Sequence, residues 1–297
     1  MSAVMISTAP EVSPGRAARW KTKRRRRIVQ HTVLYVVLTI SLILTLLPFV
    51  WMVLGSVKTQ AELMQRPITW WPQHPTLQNF VEWFTELDFP RYLTNSVVVS
   101  VVVVLGNLVF CSMMGYALAK MEFPGKKLIF GIVMVMLMVP AVVTMIPLFV
   151  LVANMGMVNT YWGLILPSLA TPFGVFLMRQ FMQSIPESLI EAARVDGASE
   201  LRIFAQIVMP MSGPPLATLG VFTFLGSWNS FLWPLVVAQD SHMYTLPVAL
   251  SLFSVGKLGP EYGTVMAGAV LIIAPVLVLF AFLQKYFVQG MATAGLK

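Results

Sequence analysis

The side chains that could carry out chemistry are few in this sequence and lie far apart. Cys111 is the single cysteine among 297 residues, which excludes a disulfide framework and a cysteine-based metal cluster. The three histidines, His31, His74 and His242, are too scattered to indicate a histidine metal site. Residues 125–127 place two lysines after a glycine, but the earlier glycine and the following Ser or Thr of a phosphate-cradling loop are missing. We therefore predict no catalytic residue, no metal site and no nucleotide bound by this chain.

The composition points to a membrane protein. Hydrophobic residues make up 57% of the chain and charged residues 11%, whereas ordinary soluble domains carry roughly a quarter charged residues. The chain therefore lacks the polar surface that a water-soluble body needs. Its net charge of +8 does not indicate a nucleic-acid partner, because the sequence is far too apolar for that class.

Six apolar runs are each close to the ~20 residues that a helix needs to cross the hydrocarbon core. None of the six contains Asp, Glu, Lys or Arg, each of which costs ~2.5–3.5 kcal/mol at the bilayer centre. We predict an all-α membrane protein with a six-span permease domain over 31–284, flanked by tails at 1–30 and 285–297. The predicted spans are about 31–54, 93–119, 128–153, 162–178, 214–238 and 263–284.

The distribution of Lys and Arg predicts the orientation of these spans. With the N-terminus inside, inner segments hold 16 of the 20 basic residues and outer segments hold 4. This asymmetry predicts that both termini are cytoplasmic. The basic run at 21–27 anchors the first span and contacts anionic lipid rather than nucleic acid. We interpret that span as a retained signal anchor, because it is long and lacks a small-residue cleavage site.

The spans also lack the groups that couple transport to an ion gradient. Secondary carriers usually keep carboxylates or histidines at mid-membrane, and an intramembrane enzyme needs its acid, base or metal ligands at similar depth. Work without such groups implies that a partner supplies the energy.

The segment 179–213, between the fourth and fifth spans, predicts two short cytoplasmic helices. Ser184 and Glu187 have the spacing of a capping box, and Gly197 suits a left-handed helix end. We expect Pro210 to end the second helix. Each helix has one apolar face, formed by Leu189, Ile190 and Ala193 in the first helix and by Leu201, Phe204, Ile207 and Val208 in the second. A protein-docking element and a helix lying on lipid are both compatible with this pattern. The segment carries a net charge of −1, which favours a protein partner.

The spacing within this segment resembles the EAA loop of bacterial ABC-importer permeases. Glu191-Ala192-Ala193 is followed after three residues by Gly197 and after nine more by Ile207-Val208-Met209-Pro210. Met209 stands where leucine is usual in the family, a volume-conserving difference. The resemblance implies that Glu191 contacts a cytoplasmic ATPase, that Ala192 and Ala193 fit its cleft, and that Gly197 permits the bend. It also implies that ATP and Mg²⁺ bind to the ATPase subunits and not to this chain.

The similarity covers roughly residues 31–290 and is strongest to the maltose-type, carbohydrate-uptake branch. The segments that carry it are Asn95-Ser96, 159–163, 226–231, Tyr244-Thr245-Leu246-Pro247 and the tail 284–290. The resemblance implies a second permease subunit, two ATPase subunits and an extracytoplasmic solute-binding protein facing the outer loop 239–262. It places the chain in the bacterial inner membrane and implies a di- or oligosaccharide as the solute. The alternatives are a glycerol-phosphate ester and, from another class, a secondary transporter or channel without an ATPase.

Three polar or aromatic residues inside the spans are candidates for contact with solute. Trp228 and Asn229 lie together in the fifth span, where an indole can stack on a pyranose ring and an amide can pair with hydroxyl groups. Asn107 lies in the second span. For all three, ordinary helix packing and an interhelical hydrogen bond are the alternative explanation.

Overall fold

The computed structural model describes the backbone of residues 14–254 and 261–294 and the side chains of residues 30–254 and 261–282. Within these ranges the regular structure is helical throughout. The first eight α-helices are α1 (Pro14–Ser56), α2 (Gln60–Met64), α3 (Gln78–Thr85), α4 (Phe89–Lys120), α5 (Lys126–Met138), α6 (Ala141–Asn154), α7 (Tyr161–Ile165) and α8 (Pro172–Met182). They are followed by α9 (Glu187–Val195), α10 (Glu200–Ile203), α11 (Met209–Met211), α12 (Gly213–Trp228), α13 (Leu232–Val237), α14 (Leu246–Ser254) and α15 (Tyr262–Ala294).

The described chain has four to six helical segments that could cross a membrane, which agrees with the predicted all-α membrane protein. Four segments of the described chain are long and apolar enough to span: Gln30–Ser56, Phe89–Lys120, Tyr161–Met182 and Tyr262–Phe282. Two bent helix pairs, α5 with α6 and the 200–211 segment with α12, bring the count to six if each pair is one span. The predicted tails at 1–30 and 285–297 fall partly outside the described residues, and helices α1 and α15 extend into both.

Residues 1–54 form a unit separate from residues 55–297. In that first unit, the described part of α1 has apolar side chains exposed around the helix, with Val33 at 56% and Leu44 at 65%. A helix that is apolar on every side is typical of a membrane span.

The predicted third span, 128–153, is not one continuous helix. Helix α5 ends at Met138, Val139 and Pro140 are extended, and α6 leaves at 108° to α5. Proline has no amide hydrogen for the helical ladder and disfavours the helical conformation of the residue before it, so Pro140 separates the two helices. The predicted span 128–153 thus consists of two helices that meet at Pro140.

The predicted fifth span, 214–238, is also divided. Helix α12 ends at Trp228, residues 229–231 are non-helical, and α13 begins at Leu232. At its other end the chain turns by 83° around Ser212. Pro214 cannot donate a hydrogen bond to the carbonyl four residues earlier, which prevents the preceding helix from continuing through this point.

Helix α4 is the central packing element of the unit 55–297. It lies against α8 and α12. Two of its glycines allow close approach, because a Cβ on Gly115 would lie 2.7 Å from the Cβ of Met178 and one on Gly106 would lie 2.5 Å from a methyl group of Leu169. Small residues at such positions are typical of helix contacts in membranes, where lipid tails are as apolar as the side chains.

Two buried clusters lie toward opposite ends of α4. One joins the second half of α4 to α8, α9 and α10, and includes Met178, Ile190 and Ile203. The other joins the start of α4 to α3, α12, α14 and α15. The first cluster places the loop between α8 and α12 on the end of α4.

Candidate functional site

The loop 183–212 forms two short helices, as predicted, but its first helix begins later than the capping-box pattern indicates. Helix α9 starts at Glu187, and Pro186 occupies the cap position. Ser184 does not cap it: its hydroxyl donates to the carbonyl of Phe181 at 2.7 Å and its amide donates to the same carbonyl. Ser184 thus completes the turn that ends α8, and the predicted capping box is not formed.

Gly197 adopts the left-handed conformation that the sequence predicts, with φ of +78°. Its amide donates to the carbonyl of Arg194, and the amide of Ala198 donates to the carbonyl of Ala193, both at 3.0 Å. This pair of bonds is a Schellman motif, which ends α9 and turns the chain into α10. A residue with a Cβ is strained at this φ.

The helix after Gly197 differs in two details from its prediction. Ile203, Phe204 and Val208 are buried, whereas Leu201 is 66% exposed. Ile207 is half-buried beside the buried cluster. Pro210 lies exposed within α11 and does not end the helix, because the helical turns continue to Met211 through a π-helical segment at Phe204–Val208. The break falls at Ser212.

Helix α9 has one buried and one exposed face. Ile190 is fully buried and Ala193 is half-buried against the same cluster. On the opposite side, Ser188, Glu191, Ala192 and Val195 are exposed within a stripe about 100° wide. We call these four residues the exposed α9 face. Two of the four, Glu191 and Ala192, are the first residues of the predicted motif.

A charged cluster holds the loop against the end of α4. Lys120 donates to a carboxylate oxygen of Glu187 at 3.0 Å, and Tyr116 donates to Glu200 at 2.5 Å. Arg194 donates to the other oxygen of Glu200 at 2.7 Å. The hydrogen bonds from Arg194 and Tyr116 lower the pKa of the Glu200 carboxyl, and the bond to Glu200 raises the pKa of Arg194. Sequence reasoning missed Tyr116 and Lys120, because their partners lie 84 and 67 residues away and no local pattern marks them.

Two cavities adjoin the break between α12 and α13. The first has a volume of about 430 Å³ and the second of about 490 Å³, within the usual range for small-molecule sites. Ser168, Ser230 and Trp233 line both. The first also presents hydroxyl groups and aromatic rings from Thr171, Thr223, Ser227, Phe173 and Phe222. Among the described residues that line either cavity, no side chain is ionisable.

The predicted solute-contact residues of the fifth span separate at this break. Trp228 is 2% exposed, donates from Nε1 to the carbonyl of Ile272 at 3.1 Å and stacks on Phe224, so it packs against α15 and lines neither cavity. Asn229 is exposed and lines the second cavity. The indole nearest to both cavities is that of Trp233, held by a hydrogen bond to the carbonyl of Gly163 at 3.2 Å.

Asn107 bridges α4 to the interruption between α7 and α8 and lines neither cavity. Its amide donates to the carbonyl of Ser168 at 2.6 Å, and its carbonyl oxygen accepts from the hydroxyl and the amide of Thr171. A break in a membrane helix leaves backbone groups that must be satisfied by protein, and Asn107 supplies these bonds. These contacts agree with the packing alternative.

The described part of the predicted outer loop 239–262 is anchored by two asparagines; residues 255–260 lie outside the description. Asn95 donates to the carbonyls of His242 and Tyr244, both at 2.9 Å. Asn159 accepts hydrogen bonds from the amides of Gln239 and Asp240. The loop also contains α14, which the sequence analysis did not predict.

Interrupted apolar helices that border a cavity are typical of membrane transport proteins. The chain belongs to the family of binding-protein-dependent transport system inner membrane components, whose model matches residues 108–293. It is therefore a permease subunit of an ABC importer, and the predicted family is confirmed.

The comparisons with individual proteins agree with this assignment. An arabinooligosaccharide permease of Halalkalibacterium halodurans is 41% identical over 84% of this chain and 90% of the relative. A lactose permease of Rhizobium radiobacter is 34% identical (90% and 96% covered), and an sn-glycerol-3-phosphate permease of Brucella abortus is 30% identical (90% and 97% covered). A chain from the crystal structure of a bacterial ABC transporter that imports the acidic polysaccharide alginate superposes with a TM-score of 0.80, at 25% identity over 89% of this chain and 98% of that chain.

Proposed function

We propose that this permease subunit imports an uncharged oligosaccharide and that the loop 184–210 couples it to ATPase subunits. The observation that carries the coupling is the exposed α9 face. A short helix is held by a buried side, ended by Gly197, and presents Glu191 and Ala192 outward. Small and acidic side chains on a supported helix suit insertion into a protein cleft, with Ala193, Ile207 and Pro210 completing the motif.

The character of the two cavities supports the choice of solute. Hydroxyl groups and aromatic rings are the groups that bind sugars, through hydrogen bonds and stacking on the ring face. A phosphate ester or a uronic acid is best bound by Arg or Lys, and the described cavity-lining residues include neither. An arabino- or galacto-oligosaccharide therefore fits this chain better than the glycerol-phosphate alternative. Trp233 and Asn229 are the side chains that we assign to solute contact.

The assembly in this proposal has four further parts. A second permease subunit completes the translocation path, two ATPase subunits bind ATP and Mg²⁺, and a solute-binding protein delivers the sugar outside. Both termini are cytoplasmic in this arrangement, since inner segments then hold 16 of the 20 basic residues. ATP binding favours one conformation of the permease pair, and the loop transmits that difference.

The coupling assignment is tested by Glu191→Ala and Gly197→Pro in the assembled transporter. We expect both variants to lose ATPase subunits on purification and to lose ATP-driven uptake, the first through a lost contact and the second through a wrong bend. Glu122→Gln is the matched control, because Glu122 is an exposed carboxylate outside the loop. Wild-type association and uptake in both loop variants would refute the docking assignment.

The solute assignment is tested by measuring which solutes bind to the cognate solute-binding protein and which are taken up into proteoliposomes. Arabinotriose, lactose and sn-glycerol 3-phosphate are offered in turn, and we expect a neutral sugar to be carried. Trp233→Ala should reduce that uptake strongly, while Trp228→Phe, which changes packing and a hydrogen bond away from both cavities, should reduce it little. Uptake of the phosphate ester alone would overturn the assignment.

A further inference from the structure

The charged cluster at the end of α4 involves more than one helix of the loop. Lys120 is the last residue of α4, and its side chain is 5% exposed. Its ammonium group donates to the carbonyl of Ile185 at 2.6 Å as well as to Glu187. A buried ammonium group needs such partners, because its desolvation costs several kcal/mol otherwise. Lys120 therefore fixes the start of α9 on the end of α4.

The second contact fixes the start of α10. Tyr116, one turn before Lys120, is 4% exposed and donates to one oxygen of Glu200, while Arg194 donates to the other. Arg194 also reaches the backbone carbonyl of Lys120 at 3.4 Å and lies 3.8 Å from Glu187. One arginine near the end of α9 thus joins both carboxylates to the last turn of α4.

These hydrogen bonds fix the position of the loop along α4, which the apolar packing beneath the loop does not do. Contacts of Ile190 and Ile203 with the buried cluster hold the loop down, but apolar contacts alone allow sliding. Charge-assisted hydrogen bonds at fixed distances set the register between the loop and α4. A displacement of the exposed α9 face is then passed to α4 as a unit.

We propose that Tyr116, Lys120, Arg194 and Glu200 are positioning residues that lock the loop to α4 and transmit its movement into the membrane. The inference rests on the proposed coupling function but concerns a different surface, since none of the four belongs to the exposed α9 face. We call these four residues the lock. Substitutions in the lock leave the exposed α9 face intact and remove the connection between the loop and α4.

The test uses the assembled transporter in lipid nanodiscs and proteoliposomes, with Tyr116→Phe and Lys120→Met. Tyr116→Phe keeps the ring that packs 5.5 Å from Phe204 and removes only the hydroxyl group, so it remains informative if Lys120→Met folds poorly. Lys126→Met is the matched control, because Lys126 pairs with the exposed Glu122 at 2.9 Å and has no hydrogen bond or ion pair to the described loop 183–212.

We expect hydrogen exchange at the amides of 187–203 to accelerate about tenfold in the lock variants and to stay unchanged in the control. The ATPase subunits should remain bound, while arabinotriose taken up per ATP hydrolysed falls several-fold. Unchanged exchange in both variants would overturn the lock, and faster exchange with unchanged uptake per ATP would overturn its role in transmission. If exchange accelerates but even the wild type retains no ATPase, the lock stands and the docking assignment fails.

Discussion

At the scale of single residues, two buried asparagines form hydrogen bonds with backbone groups that lie outside the α-helices. Asn107 bonds to the backbone where α7 and α8 are interrupted, and Asn95 bonds to two carbonyls of the outer loop. Both asparagines lie on α4, so one helix supplies hydrogen bonds to two irregular segments of the chain. Helix α4 therefore stabilises the irregular segments on which the cavities and loops depend.

The pH dependence of the loop is a prediction at this scale. Glu200 has a pKa lowered below its ordinary 4.5 by the bonds from Arg194 and Tyr116. A group with a lowered pKa in the folded state stabilises that state fully above its unfolded value and loses the contribution as the pH falls through the folded value. We expect loop protection to be constant from pH 7 to about 5 and to decline below about 4.5.

Hydrogen exchange of the purified chain between pH 3 and 7, corrected for intrinsic exchange rates, measures this decline. Glu200→Gln is the reference variant, since it cannot ionise at this position. An acid step of equal size in both proteins would contradict the assignment of the step to Glu200.

Residue-scale prediction from local signals succeeded at Gly197 and failed at Ser184, where the capping box is not formed. Gly197 was identified because a glycine at a helix end has few other uses, and its positive φ confirms the prediction. The contacts of Lys120, Tyr116 and Asn107 were not predictable, because their partners are 60 or more residues distant. Leu201 was placed on the wrong side, because the π-helical segment after it changes the helical period.

At the scale of elements, close contact between α4 and α8 depends on glycine. A Cβ at position 115 would lie 2.9 Å from the backbone nitrogen of Arg179 as well as against Met178. Backbone atoms cannot move aside as a flexible side chain can. The pair of helices is thus more sensitive to one methyl group here than at any lipid-facing position.

We predict that Gly115→Ala destabilises the chain by about 1–3 kcal/mol through overpacking. Gly131→Ala is the matched control, because a Cβ at 131 meets no atom within 4 Å and alanine is the better helix former by about 1 kcal/mol. Thermal unfolding in detergent should show a lower Tm for the first variant and an unchanged or higher Tm for the second. Equal Tm values would show that α8 adjusts freely.

The sequence predicted six apolar spans and the two-helix loop, but it did not predict α2, α3 or α14 or the direction of the helices within a span. An apolar run records how much chain is in lipid, and all six runs contain helix. It does not record a bend, so neither the 108° corner at Pro140 nor the interruption at 229–231 can be read from it. Prolines mark possible breaks, yet Pro147 and Pro275 lie within continuous helices, so the sequence alone does not say which proline breaks a span.

At the scale of the whole molecule, the orientation in the membrane follows from the excess of basic residues on one side. The predicted orientation places the loop 184–210 inside and the segment 239–245 outside. The predicted orientation can be tested by labelling introduced cysteines, because Cys111 is the single cysteine of the sequence and is fully buried.

We predict that a membrane-impermeant maleimide labels Ser241→Cys on intact cells and labels Ser188→Cys only after permeabilisation. Both positions are exposed in this chain, so when it is expressed without its ATPase subunits, accessibility differs only by side of the membrane. The wild-type chain should remain unlabelled in both conditions. The reverse pattern would invert the topology and remove the loop from the ATPase side.

The corner at Ser212 can be described as the fulcrum of a lever, whose two arms are the helical segment 200–211 and helix α12. Its hydroxyl group and amide both donate to the carbonyl of Val208, so the fulcrum is firmly tied to the arm that precedes it. The other arm, α12, has 16 residues and is about 24 Å long, so a tilt of about 10° at the fulcrum carries its far end through about 4 Å. Gly226 and Ser227 sit at that far end, in the cavity wall. A small rotation at the corner is thereby converted into a displacement large enough to change the shape of the cavity.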